Sequence, residues 1–218
     1  MTTQIQTSQQ AIDLEHKYGA HNYHPLPVVL AKGKGVKVWD VEGKEYYDFL
    51  SAYSAINQGH SHPRILDTFF QQAQELTLTS RAFHNDMLGV FCEYMHNYFG
   101  YDRVLPMNTG VEAVETALKL CRKWAYQVKG IEHDKAIIIT VSGNFHGRTI
   151  TAVSFSDDPD NRGYGPYTQG FRTVEYNNIS ALEEALEDPN VAGFLFEPIQ
   201  GEAGVVVPDD DYLIKAYD

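Results

Sequence analysis

Cysteine is scarce, with only Cys92 and Cys121 in 218 residues. Both lie in apolar, helix-like stretches, which leaves no disulfide framework and no CxxC metal site and fits reduced thiols in a cytoplasmic protein. Basic side chains are also short, 17 Lys and Arg against 29 Asp and Glu, giving a net charge of −12. That field repels nucleic acid and anionic membrane alike, so both are set aside as partners and a small-molecule ligand is favoured. No apolar run approaches membrane-spanning length. The opening MTTQIQTSQQAIDLEHKYGA has neither a basic start nor an apolar core of signal-peptide length. There is no internal repeat, no G-x-S-x-G elbow, no GxGxxG and no Walker pattern, so hydrolase, dinucleotide and Walker-type nucleotide readings lack support.

At 43% hydrophobic, the chain has enough apolar side chains for one large domain, or a domain with a smaller segment. Its pattern changes near His60. Before it, VKVWD and KEYYDFL flank Val41-Glu42-Gly43 as a β-hairpin, with Trp39, Tyr46, Tyr47 and Phe49 as packing residues. After Pro63, Ile65, Leu66, Phe69, Phe70, Ala73 and Leu76 recur at helical spacing, as do Leu88, Phe91, Cys92, Met95 and Phe99. From about residue 104 short apolar runs alternate with helices: VLPMN reads as a strand, AIIITV (136–141) and VAGFLFE (191–197) as strands buried on both faces, and Ser180 to Glu183 as a capping box. The order predicts an α/β domain with a largely parallel sheet, whose ligand lies beyond the carboxyl ends of the strands. We divide the chain into an N-terminal α+β segment, 1–63, and the first part of a larger domain, 64–218.

Three stretches suit that ligand position. In MNTGVEAVETALKL (107–120), Thr109 and Glu112 form a capping box, and Gly110 has no β-carbon where a ligand would approach the helix start. Free amides and the positive end of the helix dipole suit an anion or phosphate there. Taken alone, an ordinary capped helix also accounts for it. In NFHGRT (144–149), Phe145 is suited to stack on a planar ring and Arg148 to grip a carboxylate. In EPIQGEAGV (197–205), Glu197 and Glu202 are placed where carboxylates could face a ligand or pair with a distant cation, with plain solvated loop glutamates as the alternative. The histidines of Gly59-His-Ser-His62 lack further ligands and read as a structural turn rather than a metal site, while Asp157 to Asp160 and Asp209 to Asp211 read as solvated loops.

With these motifs, and with YGAHNYHPLPVVLAKGKGVKVWDVEGKEYYDFLSAYSAINQGHSHP (18–63), the sequence resembles the class III, omega-amino-acid group of fold type I pyridoxal-phosphate-dependent aminotransferases over nearly all the chain from Tyr18. The resemblance implies a fold type I large domain, incomplete here, and pyridoxal phosphate as cofactor. Its phosphate is assigned to Thr109, Gly110 and Val111 and its ring to Phe145. The resemblance further implies that Tyr23, Tyr53 and Arg148 line the substrate pocket, the two tyrosines together favouring ornithine over acetylornithine or 4-aminobutyrate as amino donor and 2-oxoglutarate as acceptor. Glu202 is expected to pair with an arginine of a later domain, and Glu197 to play a supporting part. The Schiff-base lysine and the acid facing the pyridine nitrogen are expected beyond Asp218. No catalytic residue is therefore assigned, Lys119, Lys123, Lys129, Lys135 and Lys215 included, and the 218 residues alone are expected to be inactive. A homodimer or larger assembly is implied for the complete form. The alternatives are a non-catalytic piece that binds or dimerises, and a class III enzyme with another donor.

Overall fold

A computed structural model describes residues 5–218. The first four residues, part of the segment read for a signal peptide, lie outside them. The chain divides into two compact units, one ending at Phe91 and the other running Cys92–Asp218.

The first unit begins with helix α1, Ser8–Tyr18, capped by the Thr7 side chain, which accepts from the Gln10 amide. Strands β1 (Leu30–Lys34), β2 (Lys37–Asp40) and β3 (Glu45–Tyr47) form an antiparallel sheet in that order. The expected hairpin is β2–β3. Gly43 takes φ +87 in its turn, and the Asp40 carboxylate accepts from the Lys44 amide at 2.8 Å and the Tyr46 hydroxyl at 2.7 Å. The expected packing is only partly present. Val38 is the buried residue, Trp39 and Tyr46 are half-buried, and Tyr47 and Phe49 project into solvent, 63% and 96% exposed. Helix α2, Pro63–Glu75, starts with proline at its first turn, where a missing N–H costs nothing, and α3, Asp86–Phe99, begins in this unit and ends in the second. Both appear where periodicity puts them, yet neither buries a residue.

Between β3 and α2 the backbone is strained. Ser51, Ala52, Tyr53 and Ser54 have φ of 50, 49, 54 and 69, four successive left-handed residues and none of them glycine. Each costs about 1–2 kcal/mol relative to the right-handed form.

The second unit is built on helix α4 (Gly110–Trp124), extended by a π-helical turn at Ala125–Lys129, and on strand β4 (Ile137–Val141). Helix α5 (Ile150–Ser154), strand β5 (Phe171–Val174), helix α6 (Ile179–Leu186), strand β6 (Val191–Phe194) and helix α7 (Tyr212–Tyr217) follow. The sheet is parallel, in the order β5-β4-β6. Successive side chains of a strand face opposite sides, so Ile138 packs with Leu118, Ala152 and Phe155, and Ile139 with Leu182, Ala185 and Val191. The α/β layering expected from the sequence is present, with β4 covered on both faces. Two local readings change. VLPMN forms no strand; Pro106 has no N–H to donate and no strand pairs with it among the described residues. Helix α6 is capped by Asn178, whose side chain accepts from the Ala181 amide at 3.0 Å, and Ser180 falls inside its first turn.

Candidate functional site

Helix α4 opens on the capping box read from the sequence. The Thr109 hydroxyl accepts from the Glu112 amide at 3.1 Å, and the Glu112 carboxylate accepts from the Thr109 amide at 3.1 Å. The amides of Gly110 and Val111 remain, and the first turn of a helix has no carbonyls to offer them. A β-carbon on Gly110 would meet no atom within 4 Å, so the helix start is uncrowded on that side. Donors, dipole and room together suit a phosphate.

The loop after β4 lies against that helix start. Gly147 has φ +116, and a β-carbon there would sit 2.5 Å from Cγ2 of Val111. Only glycine permits both the conformation and the contact. Thr149 caps α5 through the Ala152 amide, and its hydroxyl donates to Glu115 of α4 at 2.6 Å. Gly143, at φ +70, donates its amide to the Asp157 carboxylate at 2.9 Å, which gives one of the supposedly solvated acids a definite task. The Arg148 guanidinium carbon lies 5.4 Å from the centre of the Phe145 ring. Burial of Asn144 is satisfied on its amide side by the carbonyls of Val141 and Phe155, at 2.6 and 3.1 Å.

The loop after β6 closes the arrangement. One Glu197 oxygen accepts from the Phe145 amide at 2.9 Å and the other from the Gly201 amide at 3.4 Å, so a single carboxylate ties the two loops together. Gln200 adds a second tie, its amide donating to the Ser142 carbonyl at 2.7 Å. Gln200 and Val206 exchange backbone bonds at 3.0 and 2.9 Å, forming a narrow turn that leaves Glu202 exposed. The Tyr176 hydroxyl lies 3.0 Å from the Glu197 carbonyl oxygen and 3.1 Å from that of Pro198, and donates to this turn. Gly110, Val111, Phe145, Arg148 and Glu197 are thereby gathered on one side of the second unit.

Sequence reasoning missed Gln200, Tyr176 and His146. The last lies within NFHGRT, half-buried, its ring 5.8 Å from Phe155 and its Nε2 buried without a partner among the described residues. Burial pushes its imidazole below the ordinary value, against the opposing pull of the Glu197 charge, which keeps the ring neutral near pH 7. The histidine's place in the motif was the only signal.

Tyr23 and Tyr53 belong to the first unit. Tyr23, 59% exposed, helps line a depression of about 600 Å³ with Ile12, His16, His21 and Leu26. Tyr53, 75% exposed, stands on the left-handed turn. The GHSH histidines have structural surroundings: His60 pairs with Asp48 at 2.6 Å, and His62 occupies the N-cap of α2. Among the described residues no three His, Cys, Asp or Glu side chains converge as a metal site. Lys129 donates to the Val191 carbonyl at 2.5 Å and Lys215 pairs with Asp211 at 2.6 Å, while Lys119, Lys123 and Lys135 are exposed.

The family of class-III aminotransferases matches residues 18–218, and the chain belongs to it. Ornithine aminotransferase, mitochondrial, of Rattus norvegicus is 59% identical over 208 residues, covering 95% of this chain and 47% of the rat protein. Its Drosophila melanogaster counterpart is 62% identical over 202 residues, covering 92% and 47%. Among solved structures, the ornithine aminotransferase of Toxoplasma gondii, with partial occupancy of PLP at its active site, superposes with a TM-score of 0.96 at 52% identity, covering 98% of this chain and 50% of that one. An acetylornithine aminotransferase of Elizabethkingia anophelis gives 0.85 at 58% identity, covering 97% and 52%. The fold is therefore that of the fold type I pyridoxal-phosphate aminotransferases. The chain spans about half the length of the curated relatives it matches. No helix among the described residues is long and apolar enough to cross a membrane.

Proposed function

We propose that the protein transfers the δ-amino group of ornithine to 2-oxoglutarate, giving glutamate semialdehyde and glutamate, with pyridoxal phosphate as resident cofactor. The observation that carries this reading is the joint of α4 with the loop after β4, where Gly147 lies against Val111 beside the uncapped amides of Gly110 and Val111. Relatives that share 59% and 62% of their aligned residues with this chain are ornithine aminotransferases.

In this reading the Gly110 and Val111 amides, with Thr109 at the cap, hold the cofactor phosphate, and the helix dipole adds to their pull. Phe145, its backbone held by Glu197, would stack on the pyridine ring. When bound, the cofactor supplies the electron sink that makes the bonds of the donor's amino-bearing carbon labile. Arg148 grips a substrate carboxylate with its planar pair of donors, Tyr23 and Tyr53 shape the donor pocket, and Glu202 answers a cation outside the described residues. No lysine described above is assigned to the cofactor's aldehyde. Residues 1–63 belong to the small domain and 64–218 to the cofactor-binding domain. The complete protein works as a homodimer or larger assembly. The cytoplasmic setting rests on the free cysteines Cys92 and Cys121, which a reducing mitochondrial interior would accommodate equally.

The test is product formation by the completed enzyme, these residues joined to the later domain that the family resemblance implies, with pyridoxal phosphate, ornithine and 2-oxoglutarate. Glutamate semialdehyde is the expected product, and Tyr53→Ile is expected to weaken ornithine use. Absence of that product overturns the reading. The second reading, acetylornithine as donor, is favoured by the 58% identity to the Elizabethkingia enzyme, and a higher kcat/KM for acetylornithine than for ornithine would establish it.

A further inference from the structure

The left-handed turn Ser51–Ser54 raises a question that its sequence does not answer. Four residues with β-carbons hold a conformation that such residues leave readily, and no glycine relieves them. Backbone bonds of its own, Ser54 to the Leu50 carbonyl at 3.3 Å and Ile56 to the Ser51 carbonyl at 3.0 Å, close the turn, and side chains outside it fasten its entrance. The Asp48 carboxylate stands at its entrance. Oδ1 accepts from the Leu50 amide at 3.0 Å and from the Ser51 amide at 2.8 Å, the pattern of an Asx turn. Oδ2 takes the His60 ring at 2.6 Å, and because an ionised carboxylate can only accept, Nε2 carries the proton. The two side chains are only 16% and 23% exposed.

His60 is itself fixed to the sheet. Its backbone exchanges two hydrogen bonds with Gly35, both at 2.8 Å, and its ring lies on Gly33, where a β-carbon would come within 2.6 Å of Cγ. A continuous chain of contacts therefore runs from the end of β1 through His60 and Asp48 to the turn that carries Tyr53. The hydrogen bond from His60, followed by the Ser51 amide, holds the Asp48 carboxyl below the ordinary aspartate range, so it stays ionised near pH 7.

We infer that Asp48 and His60 are positioning residues, which lock the strained turn Ser51–Ser54 onto the β1 edge and so fix where Tyr53 stands. For donor selection the inference rests on the reading of Tyr53 as a residue of the donor pocket. The lock itself does not depend on it.

Two readouts test the inference, deuterium exchange on the purified chain and kinetics on the completed enzyme. In Asp48→Ala, deuterium uptake at residues 50–56 is expected to quicken by about tenfold, because the Leu50 and Ser51 amides lose their shared acceptor. The KM for ornithine is expected to rise about tenfold with that for 2-oxoglutarate unchanged, and Asp48→Asn, whose amide oxygen still serves Leu50 and Ser51, is expected to recover both to within about threefold. In a Tyr53→Ile background, the Asp48→Ala change in ornithine KM is expected to vanish, since residues that act through one another do not add. Unchanged exchange at 50–56 overturns the lock. Independent, multiplying effects of Asp48 and Tyr53 overturn the positioning role. A protein that ignores ornithine sinks the proposed function, while the exchange readout still decides the lock. Should Asp48→Ala fail to fold, His60→Gln, which leaves Asp48 its two amides, is measured by the same two readouts, with a smaller change of the same sign expected and no change counting against the lock.

Discussion

The two units of this chain are held by different physics. In the second, fourteen apolar residues are buried, and two of their clusters, about Ile138 and Ile139, lie on opposite faces of the sheet. In the first, Val38 alone is buried among the described residues, and directional polar contacts hold the chain: Asp40 with Lys44 and Tyr46, Glu42 with Ser8, Asp48 with His60. Burial scales with area and tolerates no missing volume, whereas a carboxylate clamp fixes one geometry and contributes little bulk stability. The second unit is therefore expected to carry the folding free energy, and the first to carry shape.

The sharpest way to break that contrast is to excavate the sheet. Ile139 is fully buried against Leu182, Ala185 and Val191, and Ile139→Ala is expected to cost about 2–5 kcal/mol in denaturant unfolding. A loss as large from any single substitution in the first unit would refute the comparison. Next comes the joint at the candidate site. In Gly147→Ala the new methyl meets Val111 at 2.5 Å in a backbone conformation that suits glycine, so a loss of about 1–3 kcal/mol is expected, together with weaker pyridoxal phosphate binding in a fluorescence titration.

How much of this was legible depended on the range of the interaction that decides each feature. The β4 strand and the α4 cap follow from neighbours in sequence, a run of isoleucines and a Thr-x-x-Glu spacing, and both stand where they were read. Strand β5 went unread because FRTV is short and partly polar; its pairing with β4 creates it. The turn at Ser51–Ser54 carries no glycine to announce its handedness, and its cause, Asp48 bound to His60, lies twelve residues apart along the chain. Glu197 was recognised as part of a motif, but its task needed the fold, since the Phe145 amide it accepts from is 52 residues away. The tyrosines Tyr23 and Tyr53 were singled out by resemblance alone, and their exposure in the first unit is a fact no periodicity contained.

A gentler probe uses pH. His146 has its imidazole held below the ordinary value by burial, so the folded state binds fewer protons than the unfolded one in acid. Stability from this source is present at neutral pH and declines as the pH falls below the ordinary imidazole value of about 6.5. In His146→Phe, which keeps an aromatic ring against Phe155, the decline between about pH 7 and 5.5 is expected to flatten in thermal melts. A slope identical to that of the parent protein would show that the ring is not kept neutral by its surroundings.

The smallest effect belongs to the first unit. Glu42, in the β2–β3 turn, accepts from both the amide and the hydroxyl of Ser8 at 2.6 Å, placing a carboxylate at the positive end of α1. These two bonds, the hydroxyl's first, hold its carboxyl below the ordinary glutamate range, so the latch is present above that range and is lost as the pH falls through the depressed value. Glu42→Gln keeps one acceptor and removes the charge. Its expected outcome is faster deuterium exchange through Ser8–Tyr18 at neutral pH with no shift in the denaturant midpoint, because α1 buries no residue and adds little to the core. A shifted midpoint would mean that this polar latch shares in the global stability, and the division between a unit that supplies stability and a unit that supplies shape would no longer hold.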